Sequence, residues 1–244
     1  FDTVGWFTRS VDDIEILRRA LLRLPDEVPA DTVLANADLN GLRIAYFRPP
    51  WWDQAEPDTW DLLDKAVTQL ERDGAEMVDV AVPAWLDAIP GWHRQVAGFE
   101  FARAITFERV ERNHQLSPKL VEGRCGDGLA LDYDDYVAAQ AGLARARSDF
   151  ANLASNFDVL LTPAAPGEAW HGLAATGDPV FNTAWTALHV PALSVPAFKG
   201  PGGLPVGLQI VGRYREDASL LAASKAICRA LDCEIVPTVT PSPS

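Results

Sequence analysis

Basic and sulfur-bearing residues are scarce in this chain of 244 residues: lysine stands only at 65, 119, 199 and 225, methionine only at 77, and cysteine at 125, 228 and 233. An odd number of cysteines with no CxxC pair argues against a disulfide framework or a zinc knuckle and points to a reducing, cytoplasmic setting. The histidines His93, His114, His171 and His189 show neither HxH nor HExxH spacing, so no metal site is expected, and no motif calls for a cofactor. No apolar run approaches the roughly 18 residues of a membrane span, and the Phe-Asp-Thr start lacks the charged and apolar regions of a signal peptide. Positive charge is short as well, with 21 Lys and Arg against 34 Asp and Glu, a net charge of −13. Such a surface has no general attraction for phosphate backbones or anionic lipid, which sets aside nucleic acid and membrane as partners. Ser-Ser, Gly-Gly-Ser and Gly-x-Ser-x-Gly are all missing, so no serine nucleophile can be placed.

What is present is core material. At 48% hydrophobic and 23% charged residues, the chain is long and apolar enough for a sizeable globular unit. Three short apolar runs, FDVLLTPAAP (157–166), ALSVPAF (192–198) and LPVGLQIVG (204–212), are rich in Val, Leu and Ile and bounded by Pro or Gly. Each reads as a strand buried on both faces. LRIAYF after Gly41 and AEMVDVAVP (75–83) read as two further strands, joined by a helix over about 58–73 that ends at Gly74. A strand, helix, strand order predicts a parallel pair.

Ser10 followed by Asp13 resembles a capping box, and Val11, Ile14, Leu17, Leu21 and Leu22 predict one helix face ending near Pro25. Residues 25–40 read as a connector, and the chain after Pro237 as a disordered tail over about 237–244. Trp85 to Arg112 reads as helix broken early at Pro90 and Gly91, and 113–131 as a surface excursion with a short helix. A long helix follows over about 132–156, its face set by Tyr133, Tyr136, Val137, Gln140, Leu143, Ala144, Arg147, Phe150, Ala151 and Ala154. Segment 163–191 shows no clear period and lies past the carboxyl end of a strand, where α/β sheets bind ligands. Residues 216–231 read as an amphipathic helix.

The strand words above, in their order, resemble the C-terminal end of the amidase signature family, serine hydrolases that cleave carboxamides. FDTVGWFTRSVDDIEIL (1–17) and YVAAQAGLARARSDFANLASNFDVLLTP (136–163) extend the resemblance over most of the chain. It implies an α/β fold with a mixed, largely parallel sheet covered by helices on both faces. It further implies that 1–244 is the C-terminal part of one amidase-like domain with a helical excursion at about 84–156. The family's nucleophile, a serine activated through a second serine on a cis peptide and a lysine, belongs upstream of Phe1. With Phe at residue 1 and its one methionine at 77, the chain reads as an internal stretch of something longer. No catalytic residue is carried over, and the four lysines read as surface residues.

Phe181, Thr183, Trp185 and Thr186 match the family's segment near the acyl-binding cavity, and the resemblance makes them a substrate-cavity wall. The spacing of Phe181 and Trp185 also suits ordinary packing between helix and sheet. His189 stands where the family commonly has Gly. The implied partners are the N-terminal catalytic part and a small-molecule amide, and a sheet cut in half predicts self-association. Two other readings stay open: a non-catalytic subunit or interaction module keeping the half-fold, and an unrelated α/β enzyme acting through Asp and His residues in the 163–191 loop, where His171 lies beside Glu168 as a candidate His and carboxylate pair but reads better as a surface-loop histidine. Gly202, Gly203 and Gly207 precede and interrupt a strand, which favours turn and close-approach roles over phosphate binding. Trp51 and Trp52 form an adjacent aromatic pair of the kind that plugs a subunit or domain contact.

Overall fold

The computed structural model describes residues 1–22, 38–173 and 176–233. The connector at 25–40 falls mostly outside that set, and the tail at 237–244 falls wholly outside it. Among the described residues five strands form one sheet: β1 (Arg43–Phe47), β2 (Glu76–Val80), β3 (Val159–Pro163), β4 (Ala192–Lys199) and β5 (Pro205–Val211), in the order β2-β1-β3-β5-β4. β2, β1 and β3 are mutually parallel, β5 runs against β3, and β4 runs against β5. Four of the five strands therefore share a direction, the largely parallel sheet expected.

Alternation along the strands sends side chains to two cores. Ala45, Phe47, Leu160 and Val211 face one side, and Ile44, Tyr46, Val159, Leu161, Leu208 and Ile210 face the other. β3 is buried at every residue, as its continuous apolar run requires. β4 departs from the expectation. Val195 and Ala197 are buried, but Ala192, Ser194 and Pro196 are exposed, because β4 is an edge strand with one partner and a bulge between Pro196 and Phe198. Pro196 carried the signal, since a proline within a strand belongs at an edge.

The helices follow from capping and period. α1 (Val11–Leu21) begins at Ser10, whose Oγ accepts from the Asp13 amide at 3.2 Å. Its expected apolar face is only partly used: Val11 is buried against Leu221, whereas Leu21 and Leu22 are exposed and Glu15 and Arg18 are buried instead. α2 (Pro57–Arg72) buries Thr59, Leu63, Ala66 and Leu70 at helical spacing and joins β1 to its parallel neighbour β2. Its proline sits in the first turn, where the missing N–H costs nothing.

A 3-10 helix at Ala84–Ala88 gives way to α3 (Ile89–Ala104) one residue before Pro90, which sits in the first turn of α3, so the early division into two helical pieces falls just ahead of the expected Pro90 and Gly91. A second break falls at Ile105, before α4 (Thr106–Glu111). The excursion at 113–131 is more helical than expected, with helical turns over Lys119–Cys125 that kink at Gly123 (φ −83°, ψ −105°) and run into α5 (Gly126–Ala130). α6 (Tyr133–Ala154) starts at Asp132, whose Oδ1 accepts from the Asp135 amide at 2.8 Å. Its buried face is Ala139, Gly142, Leu143, Ala146, Phe150 and Ala154, while Tyr133, Val137, Gln140, Ala144 and Ala151 are exposed. The face is rotated from the expected one because small residues let α6 press closely on α3. α3, α6 and α7 (Val180–Leu188) cover one face of the sheet, and α2 and α8 (Asp217–Leu231) the other. Trp51 is buried in the first core and Trp52 meets Tyr46 edge-on at 5.8 Å beside the second, so the adjacent tryptophans pack within the chain on opposite sides of the sheet.

Candidate functional site

The carboxyl ends of β1, β2 and β3 lie at one edge of the sheet, and the chain leaving β3 crosses that edge. The Pro166 carbonyl accepts from the Glu56 amide at 2.8 Å and from Thr59 Oγ1 at 2.9 Å, which ties this loop to the start of α2. Glu168 accepts from the amides of Gly202 at 3.1 Å and Leu204 at 2.9 Å. Its carboxylate therefore fastens the loop to the β4–β5 turn and is not paired with His171, which is exposed. Gly207 is packed closely: a Cβ there would stand 2.5 Å from Ser194 Oγ and 3.0 Å from Ala164 Cβ. The expected close-approach role of this glycine is met, and Gly203 takes a positive φ in the turn.

Segment 163–191 contains α7, a helix not anticipated from its Pro- and Gly-rich surroundings. Asp178 Oδ1 accepts from the Val180 amide at 3.0 Å at its start. Phe181, Ala184, Trp185, Ala187 and Leu188 are buried, a helical period contained in nine residues. Helical rotation separates the four nominated residues. Phe181 and Trp185 are 1% and 2% exposed, and Trp185 meets the rings of Phe47 at 5.8 Å and Phe150 at 5.9 Å. Thr186 Oγ1 donates to the Phe1 carbonyl at 3.0 Å, and Thr183 lines a cleft.

A directional hydrogen-bond chain anchors α7 to the sheet. Trp185 Nε1 donates to Gln209 Oε1 at 2.8 Å, Gln209 Nε2 donates to Asn182 Oδ1 at 2.7 Å, and Asn182 Nδ2 donates to the Ala164 carbonyl at 3.1 Å. Each amide has one orientation that satisfies both of its bonds, so the chain fixes the loop carbonyl relative to β5. Asn182 and Gln209 escaped sequence reasoning. A glutamine inside the apolar run of β5 was the available signal, because a buried amide requires partners.

The cleft, about 350 Å³, lies between α3, α5 and the start of α7 and includes His93, Arg94, Arg124, Asp127 and Thr183 in its lining. Arg94 Nη2 meets Asp127 Oδ2 at 2.7 Å. Burial, then the nearby Arg124 charge, holds the His93 imidazole below its ordinary pKa, and the Phe1 ring lies 4.5 Å from it. A neutral imidazole beside apolar walls can orient a small polar ligand by hydrogen bonding. Among the described residues no hydrogen bond links a serine, threonine or cysteine side chain to a histidine or lysine, the pairing that activates a nucleophile. Lys65, Lys119 and Lys199 are exposed, whereas Lys225 is half-buried against Asp12.

α7 ends in a Schellman motif. The His189 amide reaches the Thr186 carbonyl at 3.3 Å, the Val190 amide reaches the Trp185 carbonyl at 3.2 Å, and His189 has φ 61° and ψ 32°. A non-glycine residue is strained in that left-handed conformation. His189→Gly is expected to raise stability by about 0.5–1 kcal/mol in urea unfolding, and a loss of stability would show that the imidazole makes a compensating contact.

A family model described as Amidase matches residues 1–221. Among curated relatives, the glutamyl-tRNA(Gln) amidotransferase A-type subunit of Wolbachia pipientis wMel is 28% identical over 262 residues, covering 93% of this chain and 53% of that protein. The corresponding amidotransferase protein of Rhodospirillum rubrum is 27% identical over 267 residues, covering 94% and 53%. Among solved structures, an amidase superimposes with a TM-score of 0.74 at 25% identity, covering 91% of this chain and 51% of that one. A bacterial aryl acylamidase of the amidase signature enzymes superimposes with a TM-score of 0.71 at 20% identity, over 93% and 54%. The chain spans about half the length of the curated relatives it matches.

Proposed function

Because this chain belongs to the amidase signature family, we propose that it is the scaffold half of an amide hydrolase, supplying sheet, covering helices and one wall of the substrate cavity. The reaction of the whole protein is hydrolysis of a small carboxamide to a carboxylic acid and ammonia or an amine, through an acyl-serine formed on the other half. One observation carries this reading: the match covers residues 1–221 but only about half of each relative, and the chain has no Ser-Ser or Gly-Gly-Ser segment.

In this reading Thr183 and Thr186, whose hydroxyls donate to the Pro179 carbonyl at 3.2 Å and the Phe1 carbonyl at 3.0 Å, offer oxygen acceptors at that wall, while Phe181 and Trp185 back it from the core. The bonds from Trp185 through Gln209 and Asn182 to the Ala164 carbonyl hold it in place. A wall fixed by hydrogen bonds that run from the buried Trp185 out to the exposed Asn182 keeps its shape when substrate arrives, which favours positioning of the reacting carbonyl.

Ammonia release from a panel of aliphatic and aromatic carboxamides tests the proposal. Residues 1–244 alone should give no turnover above buffer, and co-expression with the segment encoded upstream should restore it. Turnover by residues 1–244 alone would overturn the assignment. An upstream sequence without a serine-rich segment would favour the non-catalytic role instead.

A further inference from the structure

The last turn of α8 brings together two thiols that the family match, ending at residue 221, does not include. Asp232 has φ 52° and ψ 50°, a left-handed cap, and the Cys233 amide reaches back to the Cys228 carbonyl at 3.0 Å. That bond spans five residues and closes a Schellman motif, in which the side chains on either side of the cap meet. Here those two positions are both cysteine. Cys228 is partly exposed and Cys233 is buried, both reduced, in the core between α8 and the sheet.

We propose that Cys228 and Cys233 form a reversible peroxide-responsive thiol pair that closes to a local disulfide across the α8 cap. The partly exposed Cys228 is the attacking thiol. Its thiolate sulfur takes one oxygen of hydrogen peroxide, giving a sulfenic acid and releasing hydroxide. The Cys233 sulfur then gives up its proton and displaces hydroxide from the sulfenic sulfur, forming the S–S bond. Overall two thiols and one peroxide become one disulfide and two waters, the thiols being oxidised and the peroxide reduced. The order of events follows from the contact between the thiols: a hydrogen bond from Cys233 draws the Cys228 thiol down in pKa, and the same contact, with burial and the Asp232 charge, pushes Cys233 up. The odd count and spacing that argue against a structural disulfide framework leave room for such a pair, because a closure over five residues constrains little of the unfolded chain. Cys125, buried immediately before α5 and outside this cluster, serves as an internal reference.

The test is equimolar hydrogen peroxide on the reduced protein, alkylation of remaining thiols after denaturation, and peptide mass mapping. The expected result is a loss of two hydrogens and of both alkyl groups in the peptide holding Cys228 and Cys233, reversed by dithiothreitol, with Cys125 alkylated throughout. In Cys233→Ser the sulfenic acid on Cys228 should persist and be trapped by a 1,3-dione. Equal alkylation of both thiols before and after peroxide would overturn the proposal, as would cross-links found only between chains.

Discussion

Glu15→Ala should lower the free energy of unfolding by about 2 kcal/mol or more, the cost of deleting the buried acceptor of charged hydrogen bonds from Arg18 and Arg19. Glu15 is 1% exposed, accepts from Arg18 Nε at 2.7 Å and Nη2 at 3.1 Å, and accepts from Arg19 Nε at 2.6 Å. Arg18 is itself buried on the face of α1 that turns toward α8. Taking away the carboxylate removes the acceptor of these three hydrogen bonds and leaves a cavity where a buried side chain stood. Glu15→Gln keeps the shape but not the charge, so a comparable loss in that variant would assign the effect to charge. A change below about 1 kcal/mol, the range of solvent-exposed pairs, would mean that the cluster behaves as a surface one.

The same group sets an acid dependence. Burial opposes ionisation of Glu15, but the hydrogen bonds and charges of Arg18 and Arg19 outweigh it and hold the pKa below the ordinary glutamate value. A carboxyl with a lower pKa folded than unfolded contributes its full stability above the unfolded value and loses it as pH falls through the folded one. Wild-type and Glu15→Gln stabilities should therefore converge on acidification and separate again above roughly pH 5. Curves that stayed parallel through that window would assign the proton uptake to other carboxyls.

Gly128→Ala carries the second large effect, about 3 kcal/mol for forcing atoms into a contact with no room. A Cβ on Gly128 would stand 1.9 Å from the Gly98 carbonyl oxygen and 2.9 Å from the Phe99 nitrogen. Both are backbone atoms of α3, so no rotamer change relieves the clash. Arg103 Nη1 fastens the same junction by donating to the Phe99 carbonyl at 2.9 Å and the Gly128 carbonyl at 3.2 Å. Pushing α5 outward would also pull Asp127 from Arg94 and open the cleft. Gly126→Ala, whose Cβ would meet only the Val121 carbonyl at 3.4 Å, should be tolerated in the same urea titration. Equal losses in the two variants would rule out close approach as the cause.

Legibility in the sequence followed the physics of each element. β1, β2, β3 and β5 were readable because proline and glycine bracket short segments in which apolar residues predominate. α7 was hidden by its nine-residue length, although Phe181, Ala184, Trp185 and Leu188 repeat with a helical period. The face of α6 was legible in part: Leu143, Phe150 and Ala154 are buried as read, whereas Ala139, Gly142 and Ala146 pack through close approach, which a hydropathy pattern scarcely registers. Burial of Glu15 and Arg18 left no local trace, since charged residues are ordinarily exposed. Among the nominated site residues, the pairing of Phe181 with Trp185 was legible from their spacing. The bonds through Gln209 and Asn182 join residues far apart in the chain, and only the antiparallel register of β5 against β3 places them together.

The outer rim of β4 limits how this sheet can grow. Gly207 spends its carbonyl on the Ala164 amide, on the side away from β4, so its antiparallel partner Pro196 directs its own backbone groups outward. At that point the free rim offers an acceptor without a donor, and the adjacent bulge twists the strand. An incoming strand would find its ladder interrupted midway, so repeated flat zippering of copies should stall at this proline.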